Sequence, residues 1–185
     1  MKSAVFPENE ALRLSELKHY KILDTASEEV FDDIASIASL ICGTPIALIT
    51  LLDETRQWFK AAVGLNANET SREISFCGHA ILGDILFEVP DALEDIRFHD
   101  NPLVTGPPNI RFYAGMPLVT PEGFALGTLC VIDQTPRVLS DEQRAALQKL
   151  GRQVISQIRH RLDALQTAAL NEGLADKSTF YDTLL

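Results

Sequence analysis

The sequence is sparing with the features that mark extracellular, membrane-bound or nucleotide-handling proteins. It has three cysteines, Cys42, Cys77 and Cys130, far apart and with no CxxC pair. So sparse and odd a set reads as the reduced thiols of a cytoplasmic protein rather than a disulfide framework. No apolar run approaches the ~20 residues that span a bilayer; the longest, Ile46 to Leu52, has the length of a strand. The opening MKSAVFPENE lacks the apolar stretch of a secretory signal. Positive charge is scarce too, with 16 Lys and Arg against 26 Asp and Glu, a formal charge of -10. Such a surface repels phosphate backbones and anionic lipid, so neither nucleic acid nor a membrane is expected as a partner. There is no GxGxxG, GxxxxGKS/T, GxSxG, HExxH or EF-hand loop. Their absence counts against the common enzyme classes, and the sequence points to a module without catalysis of its own.

What is present is a chain of 185 residues that is 46% hydrophobic, enough for one core and some additional helix. Asn9 can cap a first helix carrying Leu12, Leu14, Leu17 and Tyr20. Thr25 and Glu28 have the spacing of a capping box, ahead of a 3.6-residue stripe at Val30, Phe31, Ile34, Ile37, Ala38 and Ile41. Gly43 is placed to end that helix in the left-handed conformation. Ile46 to Leu52 and Gln57 to Val63 read as a hairpin about the polar turn Asp53 to Arg56. A short helix is expected after Ser75, with Ile81 and Leu82 packing inward, then a strand near Leu86 to Val89. Residues 92 to 110 form a long crossover rich in Pro, Gly and Asn, and loops that long usually cover a site. Arg111 to Val119 and Phe124 to Asp133 flank the turn TPEG as a second hairpin.

Ser140 and Gln143 make another capping box and open a long helix. Its apolar positions are Leu147, Leu150, Val154, Ile158, Leu162, Leu165 and Ala169. The stripe is longer than one small sheet needs for cover, which favours a coiled-coil seam and a homodimer; the alternative is a helix lying on the sheet. The chain divides into an N-terminal helix and linker (1–24), a core (25–139), a signalling and dimerisation helix (140–170) and a weakly structured tail (171–185). The order of elements gives an α+β fold with a mainly antiparallel sheet.

Six ordered segments, KILDTASEEVFDDIASIAS, PIALITLLDETRQWFKAAVGL, ETSREISFCGHAIL, VPDALEDIRFHDNPLV, IRFYAGMPL and LGTLCVIDQTPRVLS, closely resemble a GAF domain. The resemblance is to the bacterial sensory type found upstream of diguanylate cyclases and sensor histidine kinases. It implies a GAF/PAS-like fold: a six-stranded sheet with helices packed on one face and a loop-covered pocket on the other. It also implies a sensory role in signal transduction, with dimers formed through the terminal helices. The chain ends at FYDTLL with nothing that resembles a cyclase or kinase. An output domain is therefore expected either in a larger protein or in trans, as a partner kinase or cyclase.

By that resemblance the pocket would be walled by Ser75, Phe76, Cys77 and His79, by Asp91, by Arg97, Phe98 and Asn101 of the crossover, and by Arg111, Phe112 and Tyr113. A small planar or anionic ligand would suit it, with Arg97 or Arg111 as counter-charge. The bland alternative is that these groups bind each other, Asp91 with Arg111 and Asp95 with Arg97. Cyclic-nucleotide-binding GAF domains carry an Asn-Lys pair that is missing here. Bilin-binding ones carry a cysteine in the crossover, and residues 92 to 113 contain none. Free methionine sulfoxide reductases are thiol enzymes of this family, but the flanks of Cys77 and Cys130 do not match their motifs. Cys130 lies within an apolar strand, as a small buried hydrophobe would. Cys77 and His79 are two apart and point about 200° apart on a helix, so no metal site and no cofactor is expected. The dimer seam would run through Leu147, Leu150, Val154, Ile158 and Leu162.

Overall fold

The computed structural model describes the backbone of residues 1–182 and side chains through residue 172. Chain order gives α1 (Glu10–His19), α2 (Glu29–Cys42), β1 (Ile46–Leu52), β2 (Arg56–Val63), β3 (Glu69–Ser71), α3 (Phe76–Ala80) and β4 (Phe87–Val89). A single turn of helix within the crossover, α4 (Pro102–Thr105), is followed by β5 (Phe112–Val119), β6 (Ala125–Asp133) and α5 (Asp141–Asp182). The strands form one six-stranded sheet in the order β3-β2-β1-β6-β5-β4, and every neighbouring pair is antiparallel.

β1 is buried along its whole length because both faces of the sheet are covered. Alternation sends Ala47, Ile49 and Leu51 to a core shared with Leu17, Phe31, Ala38, Leu147, Val154 and Ile158 from α1, α2 and α5. It sends Ile46, Leu48 and Leu52 to a second core under α3 and the crossover. Full burial of each such side chain is worth roughly 1.5–3 kcal/mol. α2 and α5 run antiparallel on one face: Gln143 reaches the carbonyl of Ile41, and Arg161 reaches Glu28 at the other end of α2. Gly43 ends α2 at φ 62°, and the Ser140–Gln143 capping box forms reciprocally, both as the sequence leads one to expect.

Several expectations are overturned. The Thr25–Glu28 capping box does not form. α2 starts at Glu29, while Thr25 Oγ1 donates to the Ile22 carbonyl and accepts from Lys60, and Glu28 holds Lys60 and Arg161. A buried lysine attracts the carboxylate more strongly than a backbone N–H does. Asn9 stands at the start of α1 but makes no side-chain cap. Leu12 and Leu82 point outward, at 63% and 45% exposed, and charged Arg13 is buried in their stead. The proposed seam is spent inside the protomer: Leu147, Val154, Ile158 and Leu162 are buried in the helix-side core, and Leu150 packs against it. The helix does not stop at residue 170; its backbone continues to Asp182. β3 has no counterpart among the strands expected from the sequence, since ETS is too short to show a period; the family resemblance implies six strands without placing this one.

Candidate functional site

The Cα of Ser75 leads α3 into the second core. Its hydroxyl donates to the Arg72 carbonyl and accepts from the Gly78 N–H, so Ser75 is a structural cap. The helix then divides its side chains. Phe76 stacks on Phe98 at 3.9 Å between ring centroids and 9° between planes, with Tyr113 5.2 Å away. Cys77 points down onto the sheet, where its sulfur accepts from the Tyr113 hydroxyl at 3.2 Å and from Thr128 Oγ1 at 3.1 Å. His79 faces away from Cys77, edge-on to Phe98 at 4.8 Å, with Nε2 2.9 Å from the Lys2 carbonyl. Burial pushes the His79 imidazole below its usual value. The divergence of Cys77 and His79 follows from their spacing of two.

The crossover is held by its own groups. Arg97 forms a two-pronged ion pair with Asp95, at 2.9 and 2.5 Å. Its guanidinium also lies over the Phe87 and Phe98 rings at 4.8 and 5.2 Å. The hydrogen bond to Asp95 pushes Arg97 up, and the same bond holds the Asp95 carboxyl below its ordinary range. Arg111 donates to the carbonyls of Val104 and Ile110. Asp91 accepts from the Leu93 N–H, so its expected pairing with Arg111 is replaced by a local turn. Asn101 caps α4 and ties the loop to the Ile74 carbonyl. Phe112 is misassigned by the sequence reading: it packs in the helix-side core, because neighbouring strand residues face opposite ways and Tyr113 takes the crossover side.

Ten of the eleven residues therefore gather on one face. The aromatic rings and the Cys77 thiol among them pack on one another, and the guanidinium groups expected as counter-charges are bound to protein groups. Two features went unread. Thr50 and Thr128 stand opposite each other in the β1–β6 register and share a 3.1 Å hydrogen bond; Thr128 and Cys130 are two apart on β6, so they share a face with Cys77 above them. The second is an N-terminal strap. The Lys2 N–H donates to the Arg97 carbonyl, and the Arg72 guanidinium lies 4.5 Å above the Phe6 ring. A methyl group on Gly78 would sit 3.2 Å from that of Ala4. Nothing in the composition of MKSAVFPENE distinguishes such a strap from a loose end.

Gly115 positions the phenol. A Cβ there would stand 2.7 Å from Tyr113 Cζ and 2.9 Å from Cε1, well inside van der Waals contact. Gly115→Ala is expected to displace the ring and cost ~1–3 kcal/mol by overpacking. Thermal melting checks this, and an unchanged midpoint would mean that the ring moves freely.

Among the described residues no group of three or more His, Cys, Asp and Glu is placed to hold a metal ion, and no helix is long and apolar enough to cross a membrane. The chain is 47% identical over 159 residues, 85% of its length, to a cyclic di-GMP phosphodiesterase of Pseudomonas aeruginosa, and spans 27% of that protein. Its fold is similar to the GAF domain of a phosphoenolpyruvate-protein phosphotransferase from Acinetobacter. The TM-score is 0.60 at 20% identity, covering 84% of this chain and 98% of that one. It is also similar to a domain attributed to a two-component sensor histidine kinase of Sinorhizobium meliloti, with a TM-score of 0.54 at 22% identity over 75% and 94% of the two chains. Residues 27–158 match the GAF domain, the stretch that holds the whole sheet, all of α2 and the first part of α5, and the chain belongs to the GAF domain family.

Proposed function

We propose that this chain is the regulatory input module of a larger signalling protein and works as a homodimer that passes changes along α5 to an output domain. A GAF module of the kind found with phosphodiesterase or kinase outputs is what the family match and the 47% identity give. The dimer and the route are the proposal. The observation that carries them is the uncovered apolar face of α2. Val30, Ile37 and Ile41 are 37%, 44% and 41% exposed and Leu40 is 81% exposed, along a helix packed beside α5. Leu165 of α5, beside Val30 and Phe31, continues that apolar surface at 43% exposed. A second copy would cover both helices in a four-helix arrangement.

The packing under the crossover favours relay through helix contacts over capture of a metabolite, which would have to part Phe76 from Phe98. A thiol enzyme of the sulfoxide reductase type gains no support from the filled cavity. Native mass spectrometry tests the reading: the wild type should fly as a dimer without a retained small molecule, and Ile37→Asp with Leu40→Asp should give a folded monomer. A monomeric wild type would refute the dimer, and a co-purified metabolite would refute the ligand-free relay.

A further inference from the structure

We propose that the surface over α3, between the crossover and α1, is a binding groove for an extended peptide, and that residues 1–7 occupy it as a displaceable strap. Lys2 is held through its main chain. Its N–H donates to the Arg97 carbonyl, and its carbonyl lies 2.9 Å from His79 Nε2. A carbonyl only accepts, so the imidazole carries a proton on Nε2 and donates it. Both backbone groups of one residue are thus paired by groups far along the chain, as in strand addition to a receptor. Two residues on, the strap crosses Gly78, where a Cβ would stand 3.2 Å from that of Ala4. Only a small residue passes there. Phe6 then lies under the Arg72 guanidinium, 4.5 Å from it, and the Pro7 carbonyl accepts from the Glu10 N–H as α1 begins.

The strap fills this groove poorly. Val5 and Phe6 are 70% and 60% exposed, so holding them buries little apolar surface to set against the entropy of ordering the segment. A cleft of about 280 Å³ opens beside Phe6, with Glu54, Thr55, Arg72 and Glu73 in its walls. Another of about 640 Å³ opens beside Val5, walled in part by Arg13, Ile81, Leu82, Asp84 and Val119. Both have room for side chains larger than those the strap supplies. Arg13 and Arg72 are already bound to Glu10, which leaves Glu73 and Asp84 to favour a basic segment. The chain's formal charge of -10 acts in the same direction. The occupant that fits is an extended basic peptide with a small residue over Gly78 and apolar residues at the next two positions. The filled core under the crossover stays closed throughout, and the groove is separate from the dimer face of α2.

The probe is a dye-labelled peptide of residues 1–7, acetylated so that no terminal ammonium takes part. A chain beginning at Glu8 should bind it roughly tenfold tighter than the full chain, whose tethered strap competes at an effective concentration of about millimolar. In the shortened chain His79→Phe keeps a ring against Phe98 and removes the donor. It should weaken binding by about fivefold, the worth of one hydrogen bond. Phe6→Ala in the peptide should weaken it by about two- to fivefold, the worth of an exposed cation–π contact. Fluorescence anisotropy reads all three. The proposal is overturned if the shortened chain shows no saturable binding, if the full chain binds as well, or if His79→Phe binds like the parent. Should the shortened chain not fold, elastase cleavage of the full chain after Ala4 or Val5 decides. It tracks the open population of the strap, so His79→Phe should be cut about fivefold faster, and equal rates would overturn the proposal.

Discussion

Replacing Glu10 by alanine is expected to lower folding stability by ~3–5 kcal/mol, because two buried guanidinium groups then lose the carboxylate they share. Glu10 accepts from Arg13 Nε and Nη2, both at 2.8 Å, and from Arg72 Nη1 at 2.5 Å. Arg13 is 1% exposed and Arg72 is 8% exposed. Arg13 also donates to the Leu52 carbonyl, and Arg72 to that of Asp53. One carboxylate thus pins α1 to the end of β1 and to the turn before α3. Burial alone would raise the Glu10 carboxyl, but the hydrogen bonds from Arg13 and Arg72 outweigh it and hold the group at about 2. In the unfolded chain a glutamate titrates near ~4.3. Because the folded value is depressed, this stability is fully present above the unfolded value and is lost as pH falls through the folded one. Urea unfolding at neutral pH and at successive acid steps should show the wild type weakening across that window. Glu10→Gln should start weaker and change less there. If Glu10→Ala unfolds within ~0.5 kcal/mol of the wild type, as an ordinary surface substitution does, the buried-pair account is wrong.

The second large effect centres on Glu28, and it should be one-sided. Lys60 is 0% exposed along its side chain. Its ammonium donates to Glu28 Oε1 at 2.7 Å, the Ala26 carbonyl at 2.7 Å and Thr25 Oγ1 at 3.0 Å, and stands 5.1 Å above the Phe31 ring. Glu28 also accepts from Arg161 Nε at 2.9 Å. Glu28→Ala leaves the lysine charge in the core without its counter-ion, at a cost of ~3 kcal/mol, the lower end for a buried pair because Glu28 itself is 36% exposed. Lys60→Met removes the charge and keeps the length of the stem, so its cost should be ~1 kcal/mol or less. In the double variant Glu28→Ala should cost far less than it does alone. A double-mutant cycle read by thermal unfolding measures that difference; additive losses would show that Lys60 does not depend on Glu28.

The sheet was legible because each hairpin carries its own punctuation. Gly43, the polar turn after Leu52 and the TPEG turn bracket predominantly apolar runs of strand length. The crossover was legible as a cover but not for what it covers. Its Asp95–Arg97 pair was foreseen as the bland alternative, and that alternative describes this group correctly. The Asp91–Arg111 pair failed because a backbone N–H two residues on is nearer to Asp91 than any guanidinium. The stripe on α5 was read with the right residues as far as Leu162, while Leu165 and Ala169 are exposed. The buried positions face the protomer's own core, since periodicity reports that a face is buried and is silent on what buries it. Glu28 was misread for a similar reason: the capping-box spacing is local, while the lysine that takes its carboxylate is far along the chain.

In the proposed relay the far half of α5 is the lever. Among the described residues its last buried side chain is Leu162, and the helix backbone runs on to Asp182, an arm of ~30 Å at 1.5 Å per residue. A tilt of ~5° about the Leu162 fulcrum moves the distal end by ~2.6 Å over such an arm. Arg161, one residue before the fulcrum, is held by Glu28 and by the Lys21 carbonyl. A shift too small to disturb the core becomes, at the end of that arm, a displacement of about half a helical turn.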